Sequence, residues 1–243
     1  MWSFLEKYTA YFRKYKKPIP TQEVFIGTIL FYVIFTMVFF LTNHGNLEWS
    51  ANIINLHNTL IVCFAIFLYV LTENIFCIVI ALSSFLASSL ADIVLGTLYY
   101  YDRMYLSTYA HHILYSFIMI ESLISGKELL SLAMMSGYIE ISAFFQGIKR
   151  MWDIKEKWFD IFNAALFFIT RIVLFVPFLL IVYLCGDTFS EKLFSLIIFS
   201  TTALHIVWSK TQIKNIMRRY FSGNQSNNNN NSVANTDEYL TFT

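Results

Sequence analysis

Seven stretches of this chain are mainly apolar over lengths close to the ~20 residues that a helix needs to cross the hydrocarbon of a bilayer. They are 24–41, 51–71, 74–98, 104–125, 129–148, 160–184 and 193–210. They run apolar on all faces rather than alternating, which excludes strands of a membrane barrel. A helix satisfies its own backbone hydrogen bonds and is therefore stable in lipid. The expected fold is all-α: a polytopic membrane protein of six or seven transmembrane helices, forming a bundle or barrel with a polar-lined interior. Composition argues against a soluble domain, since 57% of residues are hydrophobic and 14% charged, where soluble domains carry about a quarter charged. A formal net charge of +1 and the absence of a long basic block exclude nucleic acid as an expected partner.

Four segments follow from this pattern. Residues 1–23 mix aromatic and basic side chains and suit an interfacial helix or a flank to the first span. Residues 24–41 form the first span, which lacks a small-residue cleavage site and is expected to stay uncleaved. Residues 49–219 form the main bundle, and 220–243 an Asn-rich tail expected to be disordered. Basic residues cluster at Lys7 to Lys17, at Lys149, Arg150, Lys155 and Lys157, and at Lys210, Lys214, Arg218 and Arg219. The second and third clusters are separated by two spans and can share the cytosolic side. A cytosolic carboxyl terminus follows; either the first cluster is the exception or one of the first five stretches does not cross. Cys63, Cys77 and Cys185 match no metal or disulfide spacing, and the sequons at Asn224 and Asn230 fall in the tail.

The informative residues are polar groups at membrane depth: His57, Asp92, His111, His112, Glu121, Glu140, Arg171 and His205. Such groups cost several kcal/mol in lipid and normally face a bundle interior. Ser84, Ser88, Asp92 and Gly96 recur every four residues and share one helical stripe, as do Asn163, Phe167 and Arg171. Ala133 and Gly137, beside Glu140, would let another helix approach closely. Plainer readings stand beside these. Asp92 and His112 lie near span ends and can reach the interface. Glu140 and Arg171 form either a structural ion pair or a functional one. His205, next to Trp208, suits an interfacial position, and His57 a structural one. No metal is expected, because no histidine pair stands at i and i+4 and no Glu-x-x-His spacing occurs.

From Asp92 to Ile120 the chain reads DIVLGTLYYYDRMYLSTYAHHILYSFIMI, and this resembles the segment around the paired histidines of TLC-domain proteins. That family is named for the translocating-chain-associating protein, the longevity-assurance ceramide synthases and a neuronal ceroid lipofuscinosis protein. YIEISAFFQGIKRM, with Glu140 and Ser142, resembles its glutamate-serine segment. FNAALFFITRIVLFVP, with Asn163 and Arg171, resembles its asparagine-to-arginine span. His57 after Trp49 is similar to the histidine that opens the domain, and ALHIVWSKTQIKNIMRR resembles the closing span, with His205 where Asn or Gln is usual. The resemblance covers about residues 49 to 219 and rests on the order and spacing of several motifs.

The resemblance implies an endoplasmic-reticulum helical bundle that binds lipid acyl chains and acts in lipid homeostasis, setting membrane or sphingolipid composition. In ceramide synthases the paired histidines lie inside a six-helix barrel, and acyl-CoA donates its acyl group to a sphingoid amine. By that analogy His111 and His112 would be the catalytic pair of an N-acyltransferase, with acyl-CoA as co-substrate and no other cofactor. Histidine suits the step as general base or acyl-accepting nucleophile. His57, Asp92, Glu140, Asn163 and Arg171 would line the lipid cavity. The chain departs from the synthases after the first pair: SLISGKELLSLAMMSGYIE holds no histidine. It is closer to the smaller TLC-domain-containing proteins. A non-enzymatic cargo-binding or scaffold protein, as a homo- or hetero-oligomer, is the third expectation; a transporter ranks last, because no broken pair of half-helices recurs.

Overall fold

A computed structural model describes residues 19–43, 45–99, 106–125, 129–177, 180 and 189–220. All of its regular structure is helical: α1 (Thr21–Thr42), α2 (Leu47–Thr72), α3 (Ile75–Tyr99), α4 (Leu106–Ser125), α5 (Leu129–Met151), α6 (Lys157–Phe168) and α7 (Phe189–Tyr220). α6 continues through a π-helical segment, Ile169–Leu174, to Pro177. Four stretches are long and apolar enough to cross a membrane: Thr21–Thr42, Leu47–Thr72, Ile75–Tyr99 and Lys157–Pro177. The chain is an integral membrane protein by this measure, with four such helices among the described residues. The described residues of the remaining three expected stretches are helical as well and carry much of the polar chemistry. The first basic cluster, Cys185, the two sequons and the Asn-rich tail lie outside the described residues.

Short, well-capped connections set the path. Asn46 caps α2 by accepting from the Trp49 amide at 3.1 Å. Glu73 ends it in the left-handed region, at φ 53°, with its N–H on the Tyr69 carbonyl at 2.7 Å. Asn74 then caps α3 through the Phe76 amide. Neighbouring pairs fix the directions. Asn58 meets Ser84 and Asp92 meets His112, so α2, α3 and α4 alternate in direction. Ile66 lies against Gly137 and Leu56 against Gly147, so α2 and α5 are antiparallel. Ser142 meets Arg171 while Lys149 meets Asp160, which reverses α6 against α5. Phe167 meets His205 and Asp160 meets Arg219, which reverses α7 against α6.

α3 is the axis of the bundle. Of its most apolar window 78% is buried, against 22% for α1, 33% for α2 and 39% for Lys157–Pro177. The reason is its supply of small residues, Ala81, Ser83, Ser84, Ala87, Ser88, Ser89 and Ala91, which let neighbouring backbones come close. The tightest approach is at Gly27 of α1. There the Ser83 hydroxyl donates to the Val24 carbonyl at 3.0 Å, and a Cβ on Gly27 would stand 2.5 Å from Ser83 Oγ. Gly137 plays the same part against Ile66, where an added Cβ would fall at 3.1 Å. The outward faces of α1 and α2 carry Phe25, Ile29, Leu41, Phe64 and Phe67, all exposed, as a lipid-facing surface requires.

One cluster ties the ends of three helices. The buried Asp160 carboxylate at the start of α6 pairs with Lys149 of α5 and, at 3.1 Å, with Arg219 of α7. It also accepts from the Tyr220 hydroxyl at 2.7 Å. That hydroxyl reaches the Lys155 carbonyl as well. The second and third basic clusters therefore stand at the same end of the bundle, where α5 and α7 finish. α1 begins at the opposite end.

Two stability predictions follow from these contacts. Gly27→Val should lower stability by about 1–3 kcal/mol through overpacking, and adding Ser83→Ala should recover part of the loss, in thermal melts of the detergent-solubilised protein. Asp160→Ala should cost about 1–3 kcal/mol, since it strands Lys149, Arg219 and Tyr220 at a half-exposed site. Wild-type melting of Asp160→Ala would show that α5, α6 and α7 are joined by other contacts.

Candidate functional site

A cavity of about 50 Å³ lies between α2, α3, α4, α5 and the π-helical segment after α6. α2 contributes Asn52, Asn55 and Asn58, spaced three residues apart and thus on neighbouring positions of one face. α3 adds Ser88 and Ser89, α4 adds His111, His112 and Tyr115, and α5 adds Glu140, Gln146 and Arg150. Arg171 closes it from the π-helical segment. Asn58 is held by the Ser84 hydroxyl, which donates to its Oδ1 at 2.8 Å. The cavity thus extends from Arg150 and Asn52, near the end with the basic clusters, to Glu140 and Arg171. With 1.5 Å rise per residue, Glu140 lies ~15 Å along α5 from Arg150.

Arg171 is the best-anchored charge. Its Nε donates to Ser142 Oγ at 3.1 Å, and Ser142 in turn donates to the Ile139 carbonyl at 3.0 Å. A terminal nitrogen of Arg171 reaches that same carbonyl at 3.5 Å, and the guanidinium stacks over Phe167, 4.5 Å from the ring centre. The backbone that carries it is widened into a π-helix. Pro177 offers a physical reason, because it has no N–H for the Val173 carbonyl and its ring crowds that carbonyl. Glu140 and Arg171 line the same cavity but do not come within 4.0 Å of one another. The direct ion pair that the sequence suggests is replaced by Arg171 gripping Ser142 and the Ile139 carbonyl, on the turn that carries Glu140.

The paired histidines part company. His112 Nε2 lies 3.5 Å from Asp92 Oδ2, both largely enclosed. The two atoms lack hydrogen-bond geometry toward one another, so the carboxylate stands beside the imidazole without bonding to it. His111 turns instead into a nest of rings: Tyr115 at 4.5 Å, Trp208 at 5.3 Å and His205 at 5.9 Å between centroids. Adjacent residues point about 100° apart on a helix, which accounts for the division. His205 is completely buried, with Phe175 at 5.5 Å and Trp208 at 5.7 Å. The interfacial position expected for it is overturned, because α7 packs this face against α4 and the π-helical segment. One ring nitrogen of His205 approaches the backbone of Arg171, but without hydrogen-bond geometry.

Other expected site residues fall elsewhere. His57 is exposed, and its Nδ1 donates to the Ile53 carbonyl of its own helix at 2.8 Å. It is corrected out of the cavity: helical periodicity turns Asn52, Asn55 and Asn58 inward and His57 outward. Glu121 is exposed too. Asn163 is buried, though it does not line the cavity, and neither of its amide atoms has a hydrogen-bond partner among the described residues. Asp92 stands behind His112 rather than on the cavity wall. The residues that sequence reading missed are Asn52, Asn55, Asn58 and Gln146. The stripe test applied to α3 would have found the three asparagines. Among the described residues no group of three or more His, Cys, Asp or Glu side chains is placed to hold a metal ion.

No known family model, curated protein or solved structure matches this chain.

The anchoring of Arg171 predicts an order of stabilities. Ser142→Ala should cost about 1.5–3 kcal/mol, the range for a hydrogen bond to a charged group. Arg171→Ala should cost more, and Glu140→Gln less than either. Detergent melts of the three variants check this. A Glu140→Gln loss as large as that of Arg171→Ala would restore a direct pairing.

Proposed function

We propose that the chain is an endoplasmic-reticulum membrane protein of the TLC type that binds lipid and acts in lipid homeostasis, with its carboxyl terminus in the cytosol. The supporting observation is the cavity of asparagine, histidine, glutamate and arginine side chains at membrane depth. Such groups at that depth mark sites for polar ligands by default. The size of the cavity refines the reading. Pockets that enclose a whole small molecule run to about 300–1,000 Å³, whereas this one is about 50 Å³. It suits a polar head, with the acyl chains outside it. An apolar groove of about 250 Å³ on the lipid-facing side, formed by Leu60, Cys63, Phe64, Phe67 and Phe144, suits a chain. Phe144 of the groove follows Ala143 of the cavity on α5. The cytosolic assignment rests on the gathering of two basic clusters around Asp160 at one end.

A second reading, sphingoid N-acyl transfer from acyl-CoA, is favoured by one observation, the Asp92–His112 pair. In it the amine attacks the thioester carbonyl, His112 takes the amine proton and returns it to the departing CoA sulfur as the C–S bond breaks, and Asp92 stands beside the ring. Replacing histidine by asparagine keeps a hydrogen-bonding group but removes proton transfer at neutral pH. The expected outcome for purified protein is co-purified lipid in native mass spectra and no transfer from labelled acyl-CoA to sphingoid or lysolipid acceptors. His111→Asn and His112→Asn should both retain the lipid. Transfer by the wild type that His112→Asn abolishes would establish the enzyme instead. Protein free of lipid but bound to a stable partner would favour the scaffold.

A further inference from the structure

The end of the cavity near the basic clusters has a chemistry of its own. Asn52 and Asn55 of α2 and Gln146 and Arg150 of α5 line it together. The side-chain nitrogens of Asn55 and Gln146 are buried there, and neither finds an acceptor among the described residues. Arg150 adds a guanidinium, which presents only donors. Glu48, exposed at the start of α2, is the carboxylate whose charge reaches it. The one carboxylate that lines the cavity is Glu140, far along α5.

We propose that Asn52, Asn55, Gln146 and Arg150 form a subsite for a phosphate group, entered from the end of the bundle that carries the basic clusters. A set of donors with one fixed cation selects a group that offers only acceptors, and a guanidinium fork matches phosphate oxygens in pairs. An amine or choline headgroup would leave these donors unsatisfied. The same chemistry is offered by the phosphate of a phospholipid and by a soluble phosphate compound. The lipid source rests on the lipid-binding reading above; the subsite itself does not.

The test uses the full chain in detergent micelles with three probes: phosphatidic acid, diacylglycerol with the same chains, and inorganic phosphate. Retention in native mass spectra and the shift in melting temperature are the readouts. Phosphatidic acid should be retained and should raise the melting temperature, and diacylglycerol should do neither. Arg150→Gln and Gln146→Glu should weaken phosphatidic acid binding about tenfold or more, the range for losing a charged hydrogen bond. Gln146→Glu is nearly isosteric and places a like charge against the phosphate. Lys157→Gln, at the same end but outside the cavity, should bind as wild type does. Protection by inorganic phosphate that both mouth variants remove, with no lipid retained, would keep the subsite, assign it to a soluble phosphate and end the lipid reading alone. Equal retention of the two lipids, or binding of phosphatidic acid and phosphate unchanged in both mouth variants, would overturn the proposal.

Discussion

Polar groups that lie at membrane depth must find partners inside the protein, because lipid supplies none. In this chain α3, the most buried of the four membrane-length helices, answers part of that requirement. Its serines and alanines leave room for α1, α2, α4 and α5 to approach, and its polar edge receives them. Ser83 holds the Val24 carbonyl of α1, Ser84 holds Asn58 of α2, and Asp92 faces His112 of α4. Each contact joins a different neighbour to the same axis, so enclosure of the polar groups and assembly of the bundle are one process. A large apolar residue on this helix would fill the space but remove the hydrogen-bonding partners, and the inward groups of α2 and α4 would then be stranded.

The two ends of the bundle are chemically unlike. At the end where α5 and α7 finish, Asp160 gathers Lys149, Arg219 and Tyr220, and Arg150 lines the cavity nearby. The asymmetry arises because helices of alternating direction bring the carboxyl ends of α5 and α7 beside the amino end of α6. Basic side chains at helix carboxyl ends complement the partial negative charge of the last carbonyls, and an acid in the first turn of α6 complements its opposite. The electrostatics of the helix ends and the placement of the basic clusters therefore agree.

The histidines show how a shared motif can divide its roles. His112 has a carboxylate behind it and a polar cavity before it. His111 belongs to an aromatic nest with Tyr115, His205 and Trp208 that joins α4 to α7. Rings of this kind contribute through edge and face contacts as well as buried area. The nest holds α4 in place, and that in turn fixes the direction in which His112 points.

Much was legible in the residues before any coordinates. Apolar stretches of the right length determine helices in lipid, because no other local structure satisfies the backbone there. Ala133 and Gly137 beside Glu140 marked a close approach, since spacing alone decides which residues share a helical face. The same rule, applied to α2, would have turned Asn52, Asn55 and Asn58 inward and His57 outward. What spacing cannot reveal is which face of one helix meets which face of another. That choice depends on packing among helices distant in sequence, and it decided three matters. Arg171 bonds to Ser142 and a carbonyl rather than to the carboxylate nearby. His205 is enclosed beside His111 instead of standing at the interface. Asp160, unremarkable at the start of an expected span, becomes the joint of three helices because tertiary packing brings Lys149 from the end of α5 and Arg219 from far along the chain to it.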